Sequence, residues 1–353
     1  MRFIQATILS ALVMPFIAAA ADPVAASPAA PATAPATTGP STDEGPVTMA
    51  DFVTSCQTPG QISLTYSEGP SEATMEMLQT LKEANAKVTF FVNATWLQYM
   101  QYAGVARHAH VDGHLIGMTY RLPSDTFGSH TDADIKEDIA RASRTIQDLT
   151  QVYPKYMKVH ESNLKDARLL NLVKSMGYTL VGFNMDEYDY KYNTAATAGQ
   201  IAEVYNSMFS KQMDAYGRKA SYVVAGYDVP STGAAAGLPK VINTIQSHGY
   251  DMVRLDGCTN DKTPYKKDPI TNDGFVGDAK SFGAAEYKHG QKSVSVTTGP
   301  SNQKGGVQGP PGTGNTAKTT QHDGTPKTAS STRLTAVAST LALVPALVCA
   351  YLL

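Results

Sequence analysis

The stretch ISLTYSEGPSEAT, residues 62–74, decides the fold. Apolar residues alternate at Ile62, Leu64 and Tyr66, the period of a half-buried strand, and a helical pattern over 71–84 begins just past Pro70. A strand that turns directly into a helix is half of a β-α-β unit, and such turns commonly carry active-site groups. The pair at this tip, Ser67-Glu68, is an odd choice for that chemistry.

The pattern repeats along the chain. Strands are predicted at 62–66, 87–92, 114–118, 155–159, 178–183, 221–225 and 250–255, with amphipathic helical segments at 71–84, 132–150 and 164–176 among them. Asn85, Gly177 and Gly249 each precede a strand, as helix-stop residues should. Seven such β-then-α units predict a parallel barrel or a doubly wound sheet. In either, function collects where strands run out at their C-terminal ends. That rule selects Ser67 and Glu68, Asn93 and Thr95, Thr119 to Pro123, His160 and Glu161, Asp186 and Asp189, and Tyr227 and Asp228.

A chain of 353 residues, 42% hydrophobic and with a net charge of −2, can bury one sizeable core and has no charge excess to attract nucleic acid or an anionic membrane. Its ends differ from its middle. Arg2, an apolar run from Ile4 to Ala19 and an Ala-x-Ala ending at Ala20 have the layout of a secretory signal over residues 1–20. Residues 21–49, rich in Ala, Pro and Thr, predict an extended linker, and 290–333 a second low-complexity linker. Residues 334–353 form an apolar tail preceded by small residues around Ser330, which fits a glycosylphosphatidylinositol signal with attachment at Ser330. The competing reading, a membrane-spanning helix, meets Pro345 in mid-tail and no basic flank. One domain is therefore expected over 50–260, with an extension to 289 left open. The protein is expected to be secreted to the cell surface or wall and held to the plasma membrane through the lipid alone.

With Cys349 in the removable tail, Cys56 and Cys258 remain as an even pair for an oxidising compartment, against the alternative of two unpaired thiols. A bridge between them would tie the first and last elements of the domain and contribute about 3 to 5 kcal/mol by the loop-entropy relation. Asn93-Ala-Thr95 is an N-glycosylation sequon, expected in a surface loop. His108, His110 and His114 form an obvious cluster, expected to be a polar turn feeding the third strand rather than a metal site.

From Cys56 to Cys258 the chain resembles the polysaccharide deacetylase (NodB-homology) family, and within it the fungal chitin deacetylases. CQTPGQISLTYSEGPSEAT (56–74) resembles the family's strand with T-[FY]-D-D-G-P and an upstream cysteine. LKEANAKVTFFVNATW resembles its second unit and DGHLIGMTYRLPSD the stretch carrying its metal histidines, while PKYMKV, SMGYTLVGFNMDEYDY and SYVVAGYDV follow in order. The resemblance implies a deformed parallel (β/α)7-type barrel. It also implies a chemistry in which an aspartate and two histidines hold a divalent metal, a second aspartate is the base, and a late histidine protonates the departing amine.

The family's base position falls on Ser67, and a hydroxyl with no adjacent base cannot take that proton. Glu68 replaces the metal-binding aspartate and is one methylene longer. The histidine positions fall on Thr119 and Pro123, or on a gap and Leu122. Lys158 stands at the family arginine, Tyr227 at the acid histidine, and Asp186 and Asp189 survive with Tyr190 beside them. Losing the base and the acid costs about 100- to 10,000-fold each. The expectation is thus a non-catalytic relative that binds N-acetylglucosamine polymers, chitin or chitosan-like, without a cofactor, through Glu68, Tyr120, Asp186, Asp189, Tyr190 and Tyr227. Tyr66 and Tyr188 join these as groove aromatics in a chain with 18 tyrosines and one tryptophan. Two alternatives stand beside it. One is an active deacetylase with a rearranged site, in which Glu68 and a metal such as zinc would take part with His160 and Asp186 or Asp189. The other is a structural or interaction protein of the wall.

Overall fold

The computed structural model describes residues 47–124 and 127–288. The expected signal segment, both linkers apart from residues 47–49, and the apolar tail with Ser330 and Cys349 lie outside the described residues. The chain order is β1 (Gln61–Ser67), α1 (Glu72–Glu83), β2 (Thr89–Asn93), α2 (Met100–Val111), β3 (Leu115–Tyr120), α3 (Asp132–Thr150), β4 (Tyr153–Pro154), β5 (Tyr156–Val159) and α4 (Ala167–Ser175). There follow β6 (Thr179–Leu180), β7 (Met185–Asp186), α5 (Ile201–Tyr216), β8 (Tyr222–Tyr227), α6 (Ala234–Ser247), β9 (Asp251–Met252), α7 (Leu255–Cys258), β10 (Tyr265–Lys266) and β11 (Phe275–Val276). Eight strands form one curled sheet in the order β6-β5-β3-β2-β1-β8-β7, with β9 also on β1, and every pairing in it is parallel.

Alternation builds two layers. Ile62, Leu64 and Tyr66 of β1 face outward with Phe90, Val92, Ile116 and Met118, and pack against helix residues such as Met77, Leu81, Ile139 and Leu238. On the other parity, Phe91, Leu115, Tyr156, Val181 and Val223 fill the barrel interior. The helices start where their side chains cap them: Ser71 Oγ accepts the N–H of Ala73, and Thr131 with Asp134 closes a reciprocal capping box at α3. They stop where left-handed residues are available, at Asn85 (φ 50°), Gly177 (φ 83°) and Gly249 (φ 68°).

The end of the barrel at the strand N-termini is closed by the last part of the domain. Cys56 and Cys258 form the expected disulfide. Arg254 Nε donates to Asp256 Oδ1 at 3.0 Å, a second Arg254 nitrogen meets Asp256 Oδ2, and both residues are buried. Lys155 Nζ donates to Asp261 Oδ2 at 2.7 Å, and Tyr156 donates to the same oxygen at 2.8 Å. Residues 261–288 continue across this end, with β10 joining β4 and β11 in a small antiparallel sheet.

Several expectations need correction. The segment 178–183 forms a strand only at Thr179–Leu180, with Val181 adding an isolated bridge to Val53, and 250–255 only at Asp251–Met252, where the chain soon enters the short helix α7. The two-residue strand β7 had no periodic signal. His108 and His110 lie in the last turn of α2, not in a turn, while His114 is buried with Nδ1 accepting the N–H of Val88 at 3.2 Å.

Candidate functional site

The C-terminal end of β1 is held in a specific shape. Glu68 adopts a left-handed backbone (φ 71°) before Gly69 and Pro70, an uncommon conformation for a residue with a side chain and one that clusters at functional tips. Trp96 Nε1 donates to the Glu68 carbonyl at 2.8 Å, and Asn93 N donates to the Gly69 carbonyl at 2.7 Å. Asp228, just past β8, braces the turn from behind: its Oδ1 accepts the Gly69 N–H at 3.0 Å and its Oδ2 the Thr74 hydroxyl at 2.7 Å. A Cβ on Gly69 would fall onto the Asp228 carboxylate, so glycine is required there. Burial pushes the Asp228 carboxyl up to about 7.

Two side chains of β1 point into the barrel below this turn. Thr65 Oγ1 accepts from Lys158 Nζ at 2.7 Å, and the ammonium also stands over the Phe91 ring, 5.0 Å from its centre. Burial pulls Lys158 down to about 8, although Glu187, Asp228, Glu68 and Asp189 all favour its charge. Two residues along, Ser67 is buried and its hydroxyl has no hydrogen-bond partner among the described residues.

The opposite wall is tyrosine and carboxylate. Asp186 Oδ2 accepts from the Tyr190 hydroxyl at 3.0 Å and its Oδ1 from the Tyr188 N–H at 2.8 Å. The rings of Tyr188 and Tyr190 lie 6.0 Å apart at 71°, and those of Tyr190 and Tyr227 6.3 Å apart at 75°. Asp189 is fully buried. Its Oδ2 accepts the Tyr227 N–H at 2.7 Å, its Oδ1 has no partner among the described residues, and burial raises it to about 6. The Tyr227 phenol is raised by burial first, and then by the charges of Asp189, Asp186, Glu161 and Glu68.

The sequence-predicted residues therefore divide. Ser67, Glu68, Lys158, Asp186, Asp189, Tyr190 and Tyr227 gather at this mouth. Tyr120 does not face it: alternation turns it to the outer side of β3, where its hydroxyl donates to Asp138 Oδ2 at 3.0 Å. It borders a neighbouring cleft of about 580 Å³ with Asn93, Thr119, Arg121 and Pro123. Tyr66 is likewise outward and buried, 6.1 Å from Phe90, so it is core and not groove. Asn93 ends β2 instead of lying in a free loop, and its Nδ2 donates to Glu68 Oε2 at 3.0 Å. His160 is turned to Ser162, its Nδ1 2.9 Å from that hydroxyl. Sequence reasoning missed buried Glu187, which accepts from Tyr205 beneath the mouth, and the exposed aromatic plates of Trp96 and Tyr99, 6.5 Å apart. The run Trp96, Tyr99, Tyr102 was the available signal for the plates; Glu187 had none.

The family profile described as polysaccharide deacetylase matches residues 54–181. The chain is 30% identical over 214 residues to a chitin deacetylase of Colletotrichum lindemuthianum, covering 59% of this chain and 83% of that protein. The chain belongs to the polysaccharide deacetylase family. A chitin deacetylase of a Pestalotiopsis species is 25% identical over 62% of this chain and 70% of its own length. The solved structure of the Colletotrichum lindemuthianum enzyme superposes with a TM-score of 0.55 at 28% identity, covering 62% of this chain and 97% of that one. The curled parallel sheet is thus the deacetylase family's deformed (β/α)7 barrel.

Family membership implies a divalent metal, and the residues here do not fit one. Among the described residues no three His, Cys, Asp or Glu side chains are placed to hold an ion. Thr119, at one histidine position, spends its hydroxyl on the Phe91 carbonyl at 3.1 Å. Leu122 is buried, with its N–H on Asn163 Oδ1 at 3.1 Å. Glu68 keeps a carboxylate at the third position, tied to Asn93.

Proposed function

We propose that this deacetylase-family protein is a non-catalytic binder of N-acetylglucosamine polymers, secreted and held at the cell surface or wall by a lipid anchor. The observation that carries the reading is Ser67. At the family's base position it offers a buried hydroxyl without a partner among the described residues, and Lys158, the amine within the barrel, is bonded to Thr65 instead. Amide hydrolysis by the family route needs a bound cation and a proton acceptor, and neither has its residues here. Tyrosine faces with carboxylates at their edges suit sugar rings and hydroxyls. The disulfide accords with an oxidising compartment.

The test combines metal analysis of the purified chain, acetate release from acetylated chitooligosaccharides, and retention on chitin and chitosan. Retention without stoichiometric zinc or acetate release is expected. Acetate release at enzyme-like turnover would overturn the loss of catalysis, and failure to bind either polymer would overturn the glycan.

A further inference from the structure

The mouth holds one more piece of information, in its charge. Asp186 and Asp189 hold the tyrosine wall directly, Asp186 Oδ2 on the Tyr190 hydroxyl and Asp189 Oδ2 on the Tyr227 N–H. Glu68 and Glu161 add to the negative field at the Tyr227 phenol, while Lys158 lies within the barrel on Thr65 and Lys191 over the Tyr188 ring. A surface built for a neutral acetamido sugar has no need of such an excess. We infer that the mouth selects the ammonium group of a glucosamine unit, so that its ligand is a de-N-acetylated or partly de-N-acetylated N-acetylglucosamine polymer. This rests on the glycan-binding reading above and narrows it to a cationic glycan.

Three observations support the choice. An ammonium carries three donors and no acceptor. Two acceptors at this end of the barrel are unused among the described residues: Asp189 Oδ1 on a fully buried residue, and the Ser67 hydroxyl at 4% exposure. Second, Tyr188, Tyr190 and Tyr227 stand edge-to-face in series, so that each presents a ring face beside the next ring's edge, the geometry in which aromatic faces surround a cation. Third, an ammonium already uses these faces. Lys191 Nζ lies 4.0 Å from the Tyr188 ring centre and 5.8 Å from that of Tyr190. Lys191 is exposed, on a flexible four-carbon stem, and can be displaced by a ligand amine at small cost.

The ligand so defined must be supplied by amide hydrolysis that strips acetyl groups from an N-acetylglucosamine polymer and leaves free amines. A protein of this kind therefore acts after a deacetylation step, on its product.

The experiment is calorimetric titration of the full chain with glucosamine oligomers and with N-acetylglucosamine oligomers of equal length, at low and high salt. The glucosamine series is expected to bind at least about tenfold more tightly, with the preference shrinking as salt rises. Chemical re-acetylation of the same oligomers should abolish the preference. Asp186→Asn and Tyr190→Ala should each remove most of it, Lys191→Gln should strengthen binding, and Glu76→Gln, on the exposed face of α1, should leave it unchanged. Equal or tighter binding of the acetylated series overturns the inference and leaves glycan binding standing. An equal loss in Glu76→Gln also overturns it, by showing bulk attraction of a polycation. Binding of neither series rejects both readings. Circular dichroism of each variant separates loss of fold from loss of contact, and Tyr190→Phe, which keeps the ring, should retain the preference.

Discussion

The two ends of this barrel differ in how their buried charges are paired, although each leaves polar atoms without a partner among the described residues, Tyr265 Oη and His110 Nδ1 at the closed end and Ser67 Oγ and Asp189 Oδ1 at the open one. At the strand N-termini, Arg254 is paired with Asp256 through two nitrogens, and Lys155 and Tyr156 share Asp261. At the strand C-termini, Lys158 is bonded to a hydroxyl, and among the described residues Asp189 Oδ1 and the Ser67 hydroxyl have no partner. A low-dielectric interior penalises the second arrangement, and folding alone gives no reason to keep it. The difference lies in the ion pairs: the closed end gives Asp256 and Asp261 cations of the chain, whereas Lys158 and Asp189 at the open end have no such pairing among the described residues and stay available to something that arrives from outside.

That contrast can be broken by four substitutions. The largest effect is expected at the closed end: Arg254→Met removes the cation from buried Asp256, leaving its carboxylate only the N–H groups of Gly257 and Phe282, and should cost about 3 to 5 kcal/mol in urea denaturation. At the open end the sign reverses. Asp189 titrates near 6 in the folded chain against an ordinary value of 3.8, so the folded state holds its proton more tightly. Its contribution is favourable at low pH and is lost as pH rises through that window. Asp189→Asn, free of this loss, should be more stable than the parent by up to about 3 kcal/mol above pH 7, with the advantage gone near pH 4. Thr65→Val removes the acceptor from the buried Lys158 and should cost about 1.5 to 3 kcal/mol, again by denaturation. Ser67→Ala deletes a hydroxyl that bonds nothing and should change stability by less than about 1 kcal/mol. A large loss in that last variant would mean that the Ser67 hydroxyl has a partner in the folded chain after all.

How far the sequence could be read follows from the same contrast. Elements with a strong period or a stop signal were legible: β1 from its alternation, α3 from the amphipathic pattern over 132–150, the helix stops from Asn85, Gly177 and Gly249. The helix α2 escaped because its inward face consists of Val105, Ala106 and Ala109, too small to stand out among the histidines. The strand Met185–Asp186 is held by two pairs with Val224 and Ala225, and such a short segment has no period of its own. Within the site, position along the chain was readable but direction was not fully used. Alternation from Thr65 and Ser67 inward puts Tyr66 outward, and the register of Thr119 with Lys158 puts Tyr120 outward as well. The approach of Asn93 to Glu68 depends on the side-by-side pairing of β1 with β2, which no local pattern specifies.

Asn93 has a practical corollary. Its amide nitrogen has two hydrogens, and one already serves Glu68. An oligosaccharide linked to that nitrogen would use the other and begin beside Glu68, between the mouth and the neighbouring cleft that Asn93 also lines. Material from a host that attaches glycans at this sequon and material from one that does not are then different reagents, and an affinity measured on one need not transfer to the other.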